Sequence, residues 1–191
     1  MFSLLPGLLL LSVNVVLIAA LVFLLVSLIH SNLAGAPYVP IERKAARDIL
    51  RFGNVGPGDV VFDFGSGDGR VLIDAVKDFG AAGGIGYEIS WWPYLKSKFL
   101  VKKNGLRSKV RVERKSIFNI PESLFSEATV FYVYTSPETM KKLAAGEFLK
   151  IRDGAKIISP SFRIPEGSGH FRLIDSTDIG WHRVFIYEKI G

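Results

Sequence analysis

The most constraining stretch of the chain is a handover between two kinds of periodicity. The continuously apolar run Val60-Val61-Phe62-Asp63-Phe64 passes into Gly65-Ser66-Gly67-Asp68-Gly69. It then passes into Arg70 to Phe79, where Val71, Leu72, Ala75, Val76 and Phe79 recur at helical spacing. Strand, glycine loop and helix in that order open a βαβ unit. A strand of β-branched and aromatic residues without alternation suits a parallel sheet covered on both faces. Alternate glycines let the main chain turn sharply and pass close to a ligand, because no Cβ blocks unusual dihedrals or contact. Two phosphate-binding readings fail on the letters. A G-x-G-x-x-G fingerprint counted from Gly65 and Gly67 would put its third glycine at Arg70, and no lysine with Ser or Thr follows Gly69 to complete a P-loop.

The same alternation continues along the chain. Ala45, Ala46, Ile49, Leu50 and Phe52 predict a helix ended by Gly53, with a turn at Gly56-Pro57-Gly58-Asp59. Strands are expected at Gly83 to Glu88, Lys109 to Arg114, Ala128 to Tyr134 and Ala155 to Ser159, with helices at Trp91 to Asn104 and Pro137 to Leu149. The end differs: Phe171 to Ser176 and His182 to Glu188 have only Thr177 to Trp181 between them, which predicts an antiparallel hairpin. The expected fold is α/β, a Rossmann-like doubly wound, mostly parallel seven-strand sheet with a C-terminal antiparallel hairpin, preceded by one transmembrane helix.

That helix is read from Leu4 to Ile29, which carries no charge and only Ser12, Asn14 and Ser27 as polar side chains. About 20 residues suffice to cross a bilayer core. A cleaved signal peptide would have Ala34-Gly35-Ala36 as its small-residue site, but a basic leading region is missing and Pro37 follows immediately. An uncleaved single-pass anchor is therefore expected over residues 1–30, a connector over 31–41 and one catalytic domain over 42–191. Arg43, Lys44, Arg47 and Arg51 follow the span closely and no basic residue precedes it, which places the domain on the cytoplasmic side.

Composition narrows the chemistry. There is no cysteine, and His30, His170 and His182 are scattered, so disulfides, thiolate sites and a histidine metal cluster are not expected. The net charge of +6, from 24 basic and 18 acidic residues, is interspersed, without the basic and aromatic pattern of an RNA-binding surface; nucleic acid is not the expected partner.

With its D-x-G-x-G-x-G loop at Asp63 to Gly69 and Glu88 ending the second strand, the chain resembles the class I, seven-strand methyltransferases. The resemblance implies S-adenosylmethionine as cofactor, bound by Asp63, Gly65, Ser66, Gly67 and Gly69, with Glu88 accepting hydrogen bonds from the ribose diol. Where many such enzymes hold the adenine amine with an aspartate, this chain has Ser116. The N-terminal apolar segment, Pro37-Tyr38-Val39-Pro40, and Tyr134-Thr135-Ser136-Pro137-Glu138 resemble more closely the small membrane-associated lysine methyltransferases related to the ATP synthase c-subunit enzyme.

That likeness implies a protein substrate with a lysine acceptor and a connector folded over the site with Tyr38 close to the transferred methyl, although Pro37 to Pro40 could equally be a stiff linker with Tyr38 at the bilayer interface; Tyr134 and Pro137 are the other candidate catalytic residues, lining the acceptor channel. A lysine must arrive deprotonated, and an apolar channel lowers its pKa by disfavouring the cation. Trp91 and Trp92, at the start of a helix, are further candidates for lining that channel and could equally be packing or membrane-interface residues. Two alternatives stay open at the level of sequence: methylation of a lipid or lipophilic small molecule, and a membrane protein that binds the cofactor without turnover.

Overall fold

The computed structural model describes residues 5–33, 39–168 and 170–191. Seven strands form one mixed sheet in the order β3-β2-β1-β4-β5-β7-β6. β1 (Val60–Phe64) lies in the middle of the five parallel strands, between β2 (Gly83–Tyr87) and β4 (Val130–Tyr132). β3 (Val110–Glu113) and β5 (Lys156–Pro160) extend the parallel part outward. β7 (His182–Lys189) runs antiparallel to β5 and carries β6 (Phe171–Ile179) as the outer strand.

Side chains along each strand alternate between two cores. Val61, Tyr132, Ile158 and Ile186 pack under α2 (Arg43–Phe52) and α3 (Arg70–Asp78), with Val101 of α4 (Trp91–Lys103) on the same face. Phe62, Phe131, Ile157 and Tyr187 point the other way, toward α5 (Glu122–Glu127) and α6 (Pro137–Ala145). The second core is aromatic: Phe62, Phe64, Phe125, Phe131 and Phe148 stack and tilt with ring centroids 4.8–6.5 Å apart.

Three local differences from the sequence reading have physical causes. α5 has no counterpart there: six residues are too few to display a helical period, and it is fixed by burial of Leu124 and Phe125 after Pro121. The helix expected to reach Leu149 stops at Ala145, because Gly146 breaks it and a 3₁₀ turn, Glu147–Lys150, follows. Thr177, Asp178 and Ile179, expected in the hairpin loop, belong to β6, leaving Gly180-Trp181 as a two-residue connection with Gly180 at φ 58°.

α1 (Leu5–Leu33) is a continuous helix, longer than the expected anchor by three residues at its C-terminal end. From Gly7 to Val26 it is exposed on every side; Gly7–Ser27 is long and apolar enough to cross a membrane. The chain then enters the core at Ile41, which is buried.

α2 is fastened to α3 by charge. Arg43 Nη2 and Nε donate to the fully buried Asp74 carboxylate at 2.6 and 3.1 Å, and Arg47 Nε stands 3.3 Å from it. Asp74→Ala strands the half-exposed Arg43 guanidinium, leaves Arg47 with Asp78 alone, and removes charged hydrogen bonds worth about 1.5–3 kcal/mol, with water screening drawing the loss toward the lower end. The expected result is a lower denaturant midpoint with an unchanged slope.

Candidate active site

The sheet order reverses between β1 and β4, and ligands of open α/β sheets bind at such a switch point, beyond the carboxyl ends of the strands. A cavity of about 270 Å³ lies there. Its floor is the glycine loop. Gly65, Gly67 and Gly69 take φ values of 87°, 54° and 77°, the left-handed region that side chains disfavour. A Cβ at Gly65 would meet nothing within 4 Å, so the main chain there faces open space.

The loop is held from below. Gly65 N–H and Ser66 N–H both donate to the carbonyl of Tyr87, at 3.1 and 2.9 Å, tying it to the end of β2. The buried Glu88 carboxylate accepts from Gly67 N–H at 3.0 Å and from Ser90 N–H at 2.7 Å. Asp68 receives Arg70 at 2.7 and 2.8 Å and Lys96 at 2.8 Å, joining the loop to α4, while Arg70 also donates to the Ile41 carbonyl at 2.7 Å. The end of the connector is thereby clamped to the loop.

The carboxylates differ in their electrostatics. Burial, with Glu88 and Asp68 nearby, raises Asp63 well above the usual carboxylate range. Burial also raises Glu88, against the opposing pull of the Ser90 and Gly67 N–H groups. At Asp68 burial acts in the same sense, but the bonds from Arg70 and Lys96 outweigh it and hold the carboxyl well below its ordinary value.

Asp63, Gly65, Ser66, Gly67, Glu88, Ser116 and Tyr134 all line the cavity. Gly69 does not: it caps α3, and a Cβ there would stand 3.2 Å from Ser97 Cβ on α4, so the glycine allows two helices to approach. Pro137 is also outside the lining; it starts α6, and its predecessors Thr135 and Ser136 face the cavity. Tyr38 lies outside the described residues, although Val39, Pro40 and Ile41 line the cavity. Trp91 and Trp92 are exposed and take no part in the lining.

Tyr132, Ile117, Phe118 and Phe162 also line the walls, and the sequence names none of them as a site residue. Tyr132 and Phe162 read in sequence as ordinary apolar positions, and only the folded sheet brings them to the cavity. Three buried polar atoms of the wall, Ser66 Oγ, Tyr132 Oη and Thr135 Oγ1, have no hydrogen-bond partner among the described residues. Buried polar groups are normally paired, so the wall is built for a polar ligand. It suits an adenosyl amino acid: apolar sides, exposed loop backbone, orphaned hydroxyls and carboxylates.

A family model for the ANTKMT methyltransferase domain matches residues 63–169, beginning at the aspartate before the glycine loop. A protein-lysine N-methyltransferase of Saccharolobus islandicus is 30% identical over 134 residues, covering 70% of this chain and 81% of that protein. The mouse ATP synthase c-subunit lysine N-methyltransferase is 27% identical over 145 residues, 76% of this chain and 56% of that protein. Among solved structures, an RNA methyltransferase from Salinibacter ruber in complex with S-adenosyl-L-homocysteine aligns with a TM-score of 0.72 at 27% identity, over 80% of this chain and 94% of that one.

Proposed function

Since this chain belongs to the ANTKMT methyltransferase family and is an S-adenosylmethionine-dependent methyltransferase, we propose that its acceptor is a lysine side chain of a protein and that α1 holds it on a membrane. The lysine reading is carried by the extended match to an enzyme named for that reaction. In this reading residues 1–30 anchor, 31–41 connect and 42–191 catalyse. The basic residues Arg43, Lys44, Arg47 and Arg51, which follow the apolar helix closely, support a single-pass protein with its catalytic domain on the cytoplasmic side.

When bound, adenosylmethionine supplies an electrophilic methyl group on a sulfonium, open to in-line displacement by an amine lone pair. Glu88 is proposed to accept the ribose hydroxyls with the lone pairs left by Gly67 and Ser90. The backbone at Gly65 to Gly67, the Ser66 hydroxyl and Asp63 would receive the amino-acid part, and Ser116 the adenine edge. Tyr134, beside Thr135 and Ser136, narrows the wall after β4. With Tyr38, proposed to fold over the opening, it would exclude water and disfavour the ammonium form of an entering lysine. The lysine ammonium would give up a proton to solvent on entering, before its lone pair can take the methyl group, and the methylated nitrogen would leave as an ammonium.

Acidification should weaken this site. An ionised carboxylate accepts the ribose hydroxyls more strongly than a protonated one, so affinity for adenosylhomocysteine is expected to fall as pH drops through a midpoint above the ordinary glutamate value. Calorimetry across pH checks this, and Glu88→Gln should remove the part of the dependence that Glu88 carries, leaving that of Asp63.

The acceptor is tested by incubating full-length protein with methyl-labelled cofactor, native membranes and RNA. Label mapped to lysine in a protein is the expected result. Label that partitions with lipid into organic solvent, or resides in RNA, overturns the lysine assignment.

A further inference from the structure

α4 is apolar on two opposite faces. Pro93, Ser97 and Val101 turn inward and are buried, whereas Trp91, Trp92, Leu95 and Phe99 are exposed, Phe99 by 61%. At about 100° per residue the four exposed side chains fall within one arc of about 100°, directly opposite the buried face. A surface helix of a water-soluble domain carries polar residues in that position. Here lysines flank the arc instead. Lys98 stands just outside its Trp91 edge, Lys102 falls within the arc near that edge at the C-terminal end of the helix, and Lys103 lies beyond the Trp92 edge together with Lys96, which is paired with Asp68. The Arg114 guanidinium adds a cation 4.1 Å over the Trp91 ring.

The second observation is where α4 begins. Trp92 N–H donates to Ser27 Oγ at 3.2 Å, and Ser27 is the final residue of the apolar stretch Gly7–Ser27 and is buried. The start of α4 is therefore fastened to the end of the span.

We propose that α4 is a second membrane contact: Trp91, Trp92, Leu95 and Phe99 enter the boundary between headgroups and acyl chains of an anionic bilayer, with the flanking lysines on lipid phosphates. This rests on the reading of α1 as an anchor, which sets Trp92 at interfacial depth, and adds an attachment that fixes the orientation of the domain. Paired tryptophans at a span's end and an apolar arc bordered by lysine match a helix lying in the interface. Lysines at both edges of the apolar face and the hydrogen bond that joins α4 to α1 favour lipid over a second copy of the chain. Ile89 lines the cavity two residues before Trp91, so the attachment would hold one lip of the active site at headgroup level.

The test uses the full chain carrying Trp181→Phe, which removes the fully exposed tryptophan at the hairpin turn. The protein is reconstituted into vesicles of equal parts phosphatidylcholine and phosphatidylglycerol, with or without bromine near the top of the acyl chains. Emission from Trp91 and Trp92 is expected to fall at least about twofold with brominated lipid and to resist aqueous iodide. Protein that floats with vesicles while iodide quenches both tryptophans freely overturns this inference and leaves the anchor standing. Shielding from bromine and iodide alike would assign the face to a protein partner or a second copy, which also overturns it. Failure to float with vesicles at all overturns the anchor as well.

Discussion

Gly86→Ala is expected to abolish most adenosylhomocysteine binding, although residue 86 does not line the cavity. A Cβ added there would stand 2.5 Å from Ser66 Cβ and Oγ and 2.7 Å from Leu72 Cδ1. Neither neighbour yields cheaply: Ser66 sits on the tightly bonded glycine loop and Leu72 is fully buried. Overpacking of this kind costs about 1–3 kcal/mol, and relief comes most readily by displacing the loop. A loss of affinity of about tenfold or more is the expected calorimetric result. Gly83→Ala, whose added Cβ would have its nearest neighbour at 3.4 Å, is the control and should bind normally. Full affinity in a folded Gly86→Ala protein would show that the loop is not held in place by β2.

Glu88→Ala should cost on the order of a hundredfold in affinity, about 3 kcal/mol. One side chain has two tasks in this reading. It fixes the Gly67 and Ser90 N–H groups at 3.0 and 2.7 Å, and it offers its remaining lone pairs to the ribose. Its removal strands two buried donors and takes away charge-assisted acceptors at once. Glu88→Asp, retaining the charge on a shorter arm, is expected to fall between. Unchanged affinity in a folded Glu88→Ala variant would refute the ribose assignment.

Much of the site is legible in sequence because it is local. Asp63 through Gly67 are consecutive, and a strand with a glycine loop and a helix can meet a ligand in few ways; Glu88 follows from the next strand ending beside the first. Tyr132 is hidden inside an apolar strand, and Phe162 follows β5, far from the loop in sequence. Pro137 lies just past the wall: Ser136 caps α6, accepting from Thr139 N–H at 3.2 Å, and helix geometry carries Pro137 away from the cavity. Gly69 belongs to the loop by pattern, yet its bareness serves the approach of Ser97.

By itself the sequence determined the alternation of strand and helix, the closing hairpin, the glycine loop and the uncharged N-terminal helix, since each is written in residues close along the chain, where periodicity and Cβ sterics act directly. Only the tertiary structure decided which polar atoms lose their partners in the cavity wall, why Gly86 must lack a side chain, and that α4 turns four large apolar residues away from the core. Those properties are set by what lies across the sheet or beyond the helix, and separation along the chain carries no record of it.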